Sequence, residues 1–198
     1  MRTAVLVSGG GTNLQALIDR EAQGTLGKAE LVGVISNNRG VYALERAKKA
    51  GIPAFVISPA DFASRDDFHK ALIAKLKELE AELIVLAGCL LTIPPEMIRR
   101  WPNRIINIHP ALIPAFSGKG CYGIHVHEKA LARGVKVSGA TVHIVNENLD
   151  EGPILLQKAV EVHENDTPET LQRRIMEEAE WVILPEAVKM ISEGQLQP

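Results

Sequence analysis

The order of elements predicts one Rossmann-like α/β domain, a mostly parallel sheet with helices on both faces and an antiparallel hairpin near its C-terminal end. Three observations carry this. Short apolar runs such as Ala4-Val5-Leu6-Val7 and Leu83-Ile84-Val85-Leu86-Ala87 recur, helical patterns separate them, and past residue 123 two longer strand-like runs flank a polar link. Strands buried on both faces read as continuous apolar runs, and their alternation with helices implies parallel crossovers.

The first run ends in Ser8-Gly9-Gly10-Gly11, and a helix follows from Thr12 with Leu14, Leu17 and Ile18 at helical spacing. Residues 31–35 form the next strand and 43–50 a helix stopped by Gly51; residues 54–57 form a short third strand. Ser64 with Asp67 three residues on is a capping pattern, opening a long helix whose buried stripe is Phe68, Leu72, Leu76 and Leu79. Strands at 83–87 and 104–107 precede a Pro- and Gly-rich loop at 110–123 and a helix near 127–132. Residues 135–145 and 154–162 read as a hairpin on the sheet's edge, joined through Gly152-Pro153. Thr167-Pro168 is an N-cap followed by proline at the first helical position, and Pro185 is expected to kink or interrupt that last helix. No linker or repeat divides residues 1–198, so they read as one domain; its first half, about 1–100, carries the candidate phosphate turn, and 101–198 the candidate catalytic residues.

Composition narrows the function. An apolar fraction of 46% in 198 residues suffices for a core without metal or disulfide staples. A net charge of −2 argues against a nucleic-acid partner. No apolar stretch reaches membrane-spanning length, and the run after Met1 is too short for a signal peptide. With two cysteines, Cys89 and Cys121, outside any CxxC pair, a cytoplasmic protein is expected.

Three motifs could carry chemistry. In Ser8-Gly9-Gly10-Gly11-Thr12-Asn13 the glycines allow a tight turn exposing N–H groups, and the following helix N-terminus favours an anion. The turn is neither a Walker A loop nor a strict GxGxxG. In Asn107-Ile108-His109-Pro110, at a strand's C-terminal end, two-residue spacing points Asn107 and His109 to one side. An amide donor and an imidazolium suit an oxyanion; an isolated strand-end histidine is more often a plain hydrogen-bonding group, and the pairing with Asn107 brings the two readings level. In Leu149-Asp150-Glu151-Gly152-Pro153, Asp150 is either an acidic turn residue or a carboxylate that reaches His109, raises its pKa and holds it protonated. The sequence does not choose between these, because the contact is long-range. His125, His127 and Cys121 lack a fourth ligand, so no metal site is expected; His143 reads as structural, with a supporting role open, and His69 and His163 as surface residues. Glu177 and Glu180, three apart, should share a helix face, which by itself reads as a solvated one.

Together with Leu86-Ala87-Gly88 and the segment Glu180 to Pro185, these motifs make the chain resemble the phosphoribosylglycinamide formyltransferase family over essentially its whole length. The resemblance implies 10-formyltetrahydrofolate as donor cosubstrate, glycinamide ribonucleotide as acceptor, and no metal. Gly11, Thr12 and Asn13 would then hold the ribonucleotide phosphate, and Glu180, helped by Glu177, the glycinamide end. Arg65 would contact the benzoylglutamate; Leu90, Leu91, Thr92 and Ile93, with the 146–150 loop, would line the pterin pocket, and Asn107 would touch the folate. Asn107, His109 and Asp150 match the catalytic trio. A homodimer is compatible with the resemblance, though no periodicity marks an interface. In departures from the family, the segment Ser117 to Gly123 is longer than usual, and residues 89–92 lack a basic residue that some members carry. By analogy, Ile113-Pro114 would be cis. Methionyl-tRNA formyltransferase is the nearest rival but would need an RNA-binding domain and a basic surface. Formyltetrahydrofolate deformylase would carry an N-terminal regulatory domain, whereas this sequence opens on its first strand. A non-enzymatic nucleotide-binding module would leave Asn107, His109 and Asp150 unexplained.

Overall fold

The computed structural model describes residues 1–196. Seven strands form one sheet in the order β3-β2-β1-β4-β5-β6-β7. The first five, β1 (Arg2–Val7), β2 (Glu30–Ser36), β3 (Ala54–Val56), β4 (Leu83–Leu86) and β5 (Ile105–His109), pair in parallel. The expected hairpin, β6 (Val137–Ile144) and β7 (Ile154–Glu161), is antiparallel and ends the sheet.

Strand alternation divides the core. Val5 and Val7 of β1 face a cluster packed by α1 (Thr12–Ala22), α2 (Tyr42–Lys49), α5 (Ile124–Arg133), α6 (Pro168–Ile175) and α7 (Trp181–Ser192). Ala4 and Leu6 face the opposite cluster, packed by α3 (Arg65–Glu78) and α4 (Pro95–Arg100). The chain thus winds outward from β1 in both directions, and the reversal between β1 and β4 is the topological switch point, where open α/β sheets bind ligands. There the two loops are tied together: Ser8 N–H donates to Gly88 O at 3.1 Å, and Leu90 N–H to Ser8 Oγ at 2.8 Å.

Both expected caps form. Ser64 Oγ accepts from Asp67 N–H, and Thr167 forms a reciprocal box with Thr170. The sequence reading missed α4, six residues long, which opens with proline at its first position and buries Met97. Pro185 does not interrupt the last helix as expected: α7 runs through it, and a π-helical turn lies just upstream at Met176–Glu180. The Ile113–Pro114 peptide is cis. No helix among the described residues is long and apolar enough to cross a membrane.

Candidate active site

At the switch point the first loop ends in Gly11, whose backbone lies in the left-handed region at φ 72°. No side chain caps α1, so the N–H groups of its first turn, lacking partners one turn back, stay open to an anion. Gly11 is required twice over, because a Cβ there would lie 2.7 Å from Ala43 Cβ as well as forcing a strained φ. Gly11→Ala should therefore cost about 1–3 kcal/mol in denaturant unfolding and lower phosphate affinity. Unchanged stability and binding would contradict that reading of the turn. The side chain of Asn13 is directed elsewhere: it is buried and donates through Nδ2 to Glu180 Oε2 at 3.0 Å.

The Asn-x-His pair extends the side-chain row of Ile105 beyond the reach of α4, into an open cavity of about 640 Å³. Its wall includes Thr12, Asn13, Asn107, His109, Asp150 and Glu180, residues from both ends of the chain. Thr141, opposite His109 on β6, pins the segment that follows by donating to Ala111 O at 2.6 Å and accepting Ile113 N–H at 3.1 Å. Asp150 sits in the β6–β7 link at φ 59° and accepts Gly118 N–H at 2.9 Å. Its Oδ2 lies 3.7 Å from His109 Nδ1, within ion-pair range but beyond a hydrogen bond.

His109 Nε2 donates to Phe116 O at 2.9 Å, which leaves Nδ1 facing the carboxylate. Only the imidazolium could donate on both sides. Burial nevertheless lowers the His109 pKa below its ordinary value; the Phe116 carbonyl and Asp150 push upward without prevailing, and His143 adds to the lowering. Asp150 therefore reaches His109 and favours its cation, but it does not hold the unliganded ring protonated, because desolvation of a 4%-exposed imidazole outweighs it. For Asp150 itself, burial acts upward, but His143, Gly118 and His109 together bring its pKa below the usual carboxylate value.

Burial raises the Glu180 carboxyl to about 7, against a smaller lowering by Asn13. Glu177 does not share its face. It is exposed, 3.2 Å from Arg173, because a π turn holds more residues than an α turn and puts Met176, four before Glu180, on the cavity wall instead. Glu180 has a stability consequence. The native carboxyl keeps its proton to about 7 whereas an unfolded one loses it near 4.5, so stability falls as pH rises between them. Glu180→Gln should remove a pH-dependent penalty of about 3 kcal/mol, visible in denaturant unfolding at pH 8 against pH 4. A wild-type protein with the same pH dependence as the variant would contradict the buried carboxyl.

Leu90, Leu91, Thr92 and Ile93 line the same cavity, facing the 146–150 loop. Arg65 lies in an adjoining cleft of about 230 Å³ with His69, and Leu91 and Thr92 border both spaces. Gly118, Gly120, Cys121, Tyr122 and Gly123 of the long loop form another wall, with Cys121 beside Lys129 Nζ at 3.2 Å. Gln172, His127 and His143 also line the cavity; the sequence reading left a supporting role open for His143 and gave the other two none there. The four-residue spacing of Gln172, Met176 and Glu180 was their legible signal; His127 and His143 had none beyond being histidines. Among the described residues no group of three or more His, Cys, Asp or Glu side chains is placed to hold a metal ion.

A doubly wound sheet with an amide, an imidazole and a carboxylate converging at its switch point suits transfer of a small acyl group. Residues 1–188 match the formyl transferase family, and the chain belongs to it. It is 46% identical over 99% of its length to the trifunctional purine biosynthetic protein adenosine-3 of Drosophila pseudoobscura pseudoobscura, of which it spans only 14%. It is 40% identical over 99% of its length to the chloroplastic phosphoribosylglycinamide formyltransferase of Arabidopsis thaliana, spanning 67% of that protein. Among solved structures, glycinamide ribonucleotide transformylase 1 from Symbiobacterium toebii superposes with a TM-score of 0.93 at 44% identity, covering 100% of this chain and 90% of that one.

Proposed function

We propose that this chain transfers the formyl group of 10-formyltetrahydrofolate to the amine of glycinamide ribonucleotide, a step of de novo purine synthesis. The observation that carries this reading is the single cavity, which joins an open helix N-terminus, a buried carboxyl and the Asn107–His109–Asp150 cluster in one space. The phosphate would rest on the backbone N–H groups of Gly11 to Asn13, and Glu180 would orient the glycinamide. The pterin would lie among Leu90 to Ile93, Asn107 and the 146–150 loop, with its benzoylglutamate toward Arg65. Free thiols at Cys89 and Cys121 suit a cytoplasmic setting.

The reaction follows from these groups. The amine attacks the formyl carbon, a C–N bond forms, and the carbonyl π electrons pass to oxygen. Asn107 donates to that oxyanion. The growing negative charge raises the depressed His109 pKa, so the proton the amine sheds, relayed by a water held at Asp150, is taken up at Nδ1. Asp150 stabilises the resulting imidazolium. Collapse expels N10, which receives that proton as its bond to the formyl carbon breaks. The oxyanion takes the acceptor role that Phe116 O now fills at His109 Nε2.

Incubation with 10-formyltetrahydrofolate and glycinamide ribonucleotide should yield formylglycinamide ribonucleotide and tetrahydrofolate in equal amounts. Formate released without an acceptor would favour a deformylase instead, and formylation of charged methionyl-tRNA the tRNA-directed rival. Absence of all transfer would refute the proposal.

A further inference from the structure

We propose that His143 is a positioning residue that fixes the Asn107 carboxamide so that an N–H is available to the transferred group. The inference rests on the transfer reading above and adds a role for a histidine outside the trio. His143 stands directly opposite Asn107 across the β5–β6 ladder and is 2% exposed. Its Nδ1 lies 2.9 Å from Ile144 O. A carbonyl only accepts, so Nδ1 carries the hydrogen, and in that tautomer Nε2 is a bare acceptor. That Nε2 is 3.2 Å from Asn107 Nδ2. A bare ring nitrogen can only accept, so the amide must turn its nitrogen, not its oxygen, to the ring.

The consequence is chemical. A carboxamide is nearly symmetric in shape, and without the ring its two orientations would compete. One offers a donor to a developing oxyanion; the other offers a carbonyl oxygen, which repels it. The ring selects the first, taking one N–H and leaving the second free. Two other titratable groups face His143. Asp150 Oδ1 lies 3.6 Å from Nε2, too far for a hydrogen bond, and His109 is the other titratable neighbour, on β5. A proton on Nε2 would recruit Asp150 and turn the amide over.

Two substitutions separate this role from packing. His143→Asn keeps a short amide donor toward Ile144 O but loses the acceptor, whereas His143→Gln places a carboxamide oxygen near the position of Nε2. His143→Asn should lower kcat by ~10–100-fold with KM for both substrates little changed, and His143→Gln should recover most of that loss. In an Asn107→Ala background, His143→Asn should cause no further loss, since both act through one donor. Equal losses in both single variants, or a full additional loss in the Asn107→Ala background, would overturn the proposal. Long-range 15N–1H correlation of the imidazole nitrogens tests it independently of turnover: the Nδ1–H tautomer is expected, and the Nε2–H tautomer would refute it. If wild type makes no formylglycinamide ribonucleotide, the transfer reading fails, while the tautomer still decides the geometry of the pair.

Discussion

Replacing His109 with alanine should lower kcat ~100–1000-fold, the scale of losing one preorganised group at an oxyanion, while nucleotide affinity stays within a few-fold of wild type. The separation follows from the fold. The candidate phosphate turn hangs from β1 and α1, whereas His109 ends β5, so the imidazole is not part of the nucleotide's support. Truncation also strips Phe116 O of its donor, so a stability loss of about 1–3 kcal/mol is expected alongside. Single-turnover formyl transfer, titration with glycinamide ribonucleotide and thermal unfolding on one preparation distinguish these effects. Near-normal turnover in a folded variant would remove His109 from the chemistry.

Asp150→Asn should be the second most damaging change, at ~100-fold or more in kcat. The asparagine oxygen can still accept Gly118 N–H, so the link keeps its anchor while the charge is lost. Asp150 now favours the His109 cation against burial. Without it, the His109 pKa should fall further below its ordinary value, and the imidazolium needed to release N10 becomes harder to form. NMR titration of the imidazole carbon protons gives the direction directly. A His109 transition at unchanged pH would contradict the electrostatic role, whatever happened to the rate.

Much of this was legible before the fold was known, for identifiable reasons. The sheet neighbours Val85, Ile106 and Ile144 are buried, and the apolar runs of their strands declare them; Ser64 and Thr167 declare helix starts through local hydrogen bonds. Asn107 and His109 were legible as a pair because strand period alone puts them on one face. What escaped depends on distance or on an altered local period. Glu177 leaves the cavity because a π turn replaces the α period, and α4 was hidden by the Pro94-Pro95 pair at its start. The fall in the His109 pKa reflects burial by segments remote in sequence, which a reading based on Asp150's charge could not weigh. The same holds for His143, whose partner Asn107 lies 36 residues away.

The central claim is that Asn107 and His109 meet the transferred carbon while Asp150 stands behind the imidazole. A crystal structure with a stable tetrahedral mimic of the formyl adduct, joined to both folate and ribonucleotide portions, tests it most directly. The account predicts an adduct oxygen ~3 Å from both Asn107 Nδ2 and a His109 ring nitrogen, with the phosphate on the Gly11–Asn13 backbone. A tetrahedral centre beyond the reach of both side chains would contradict it.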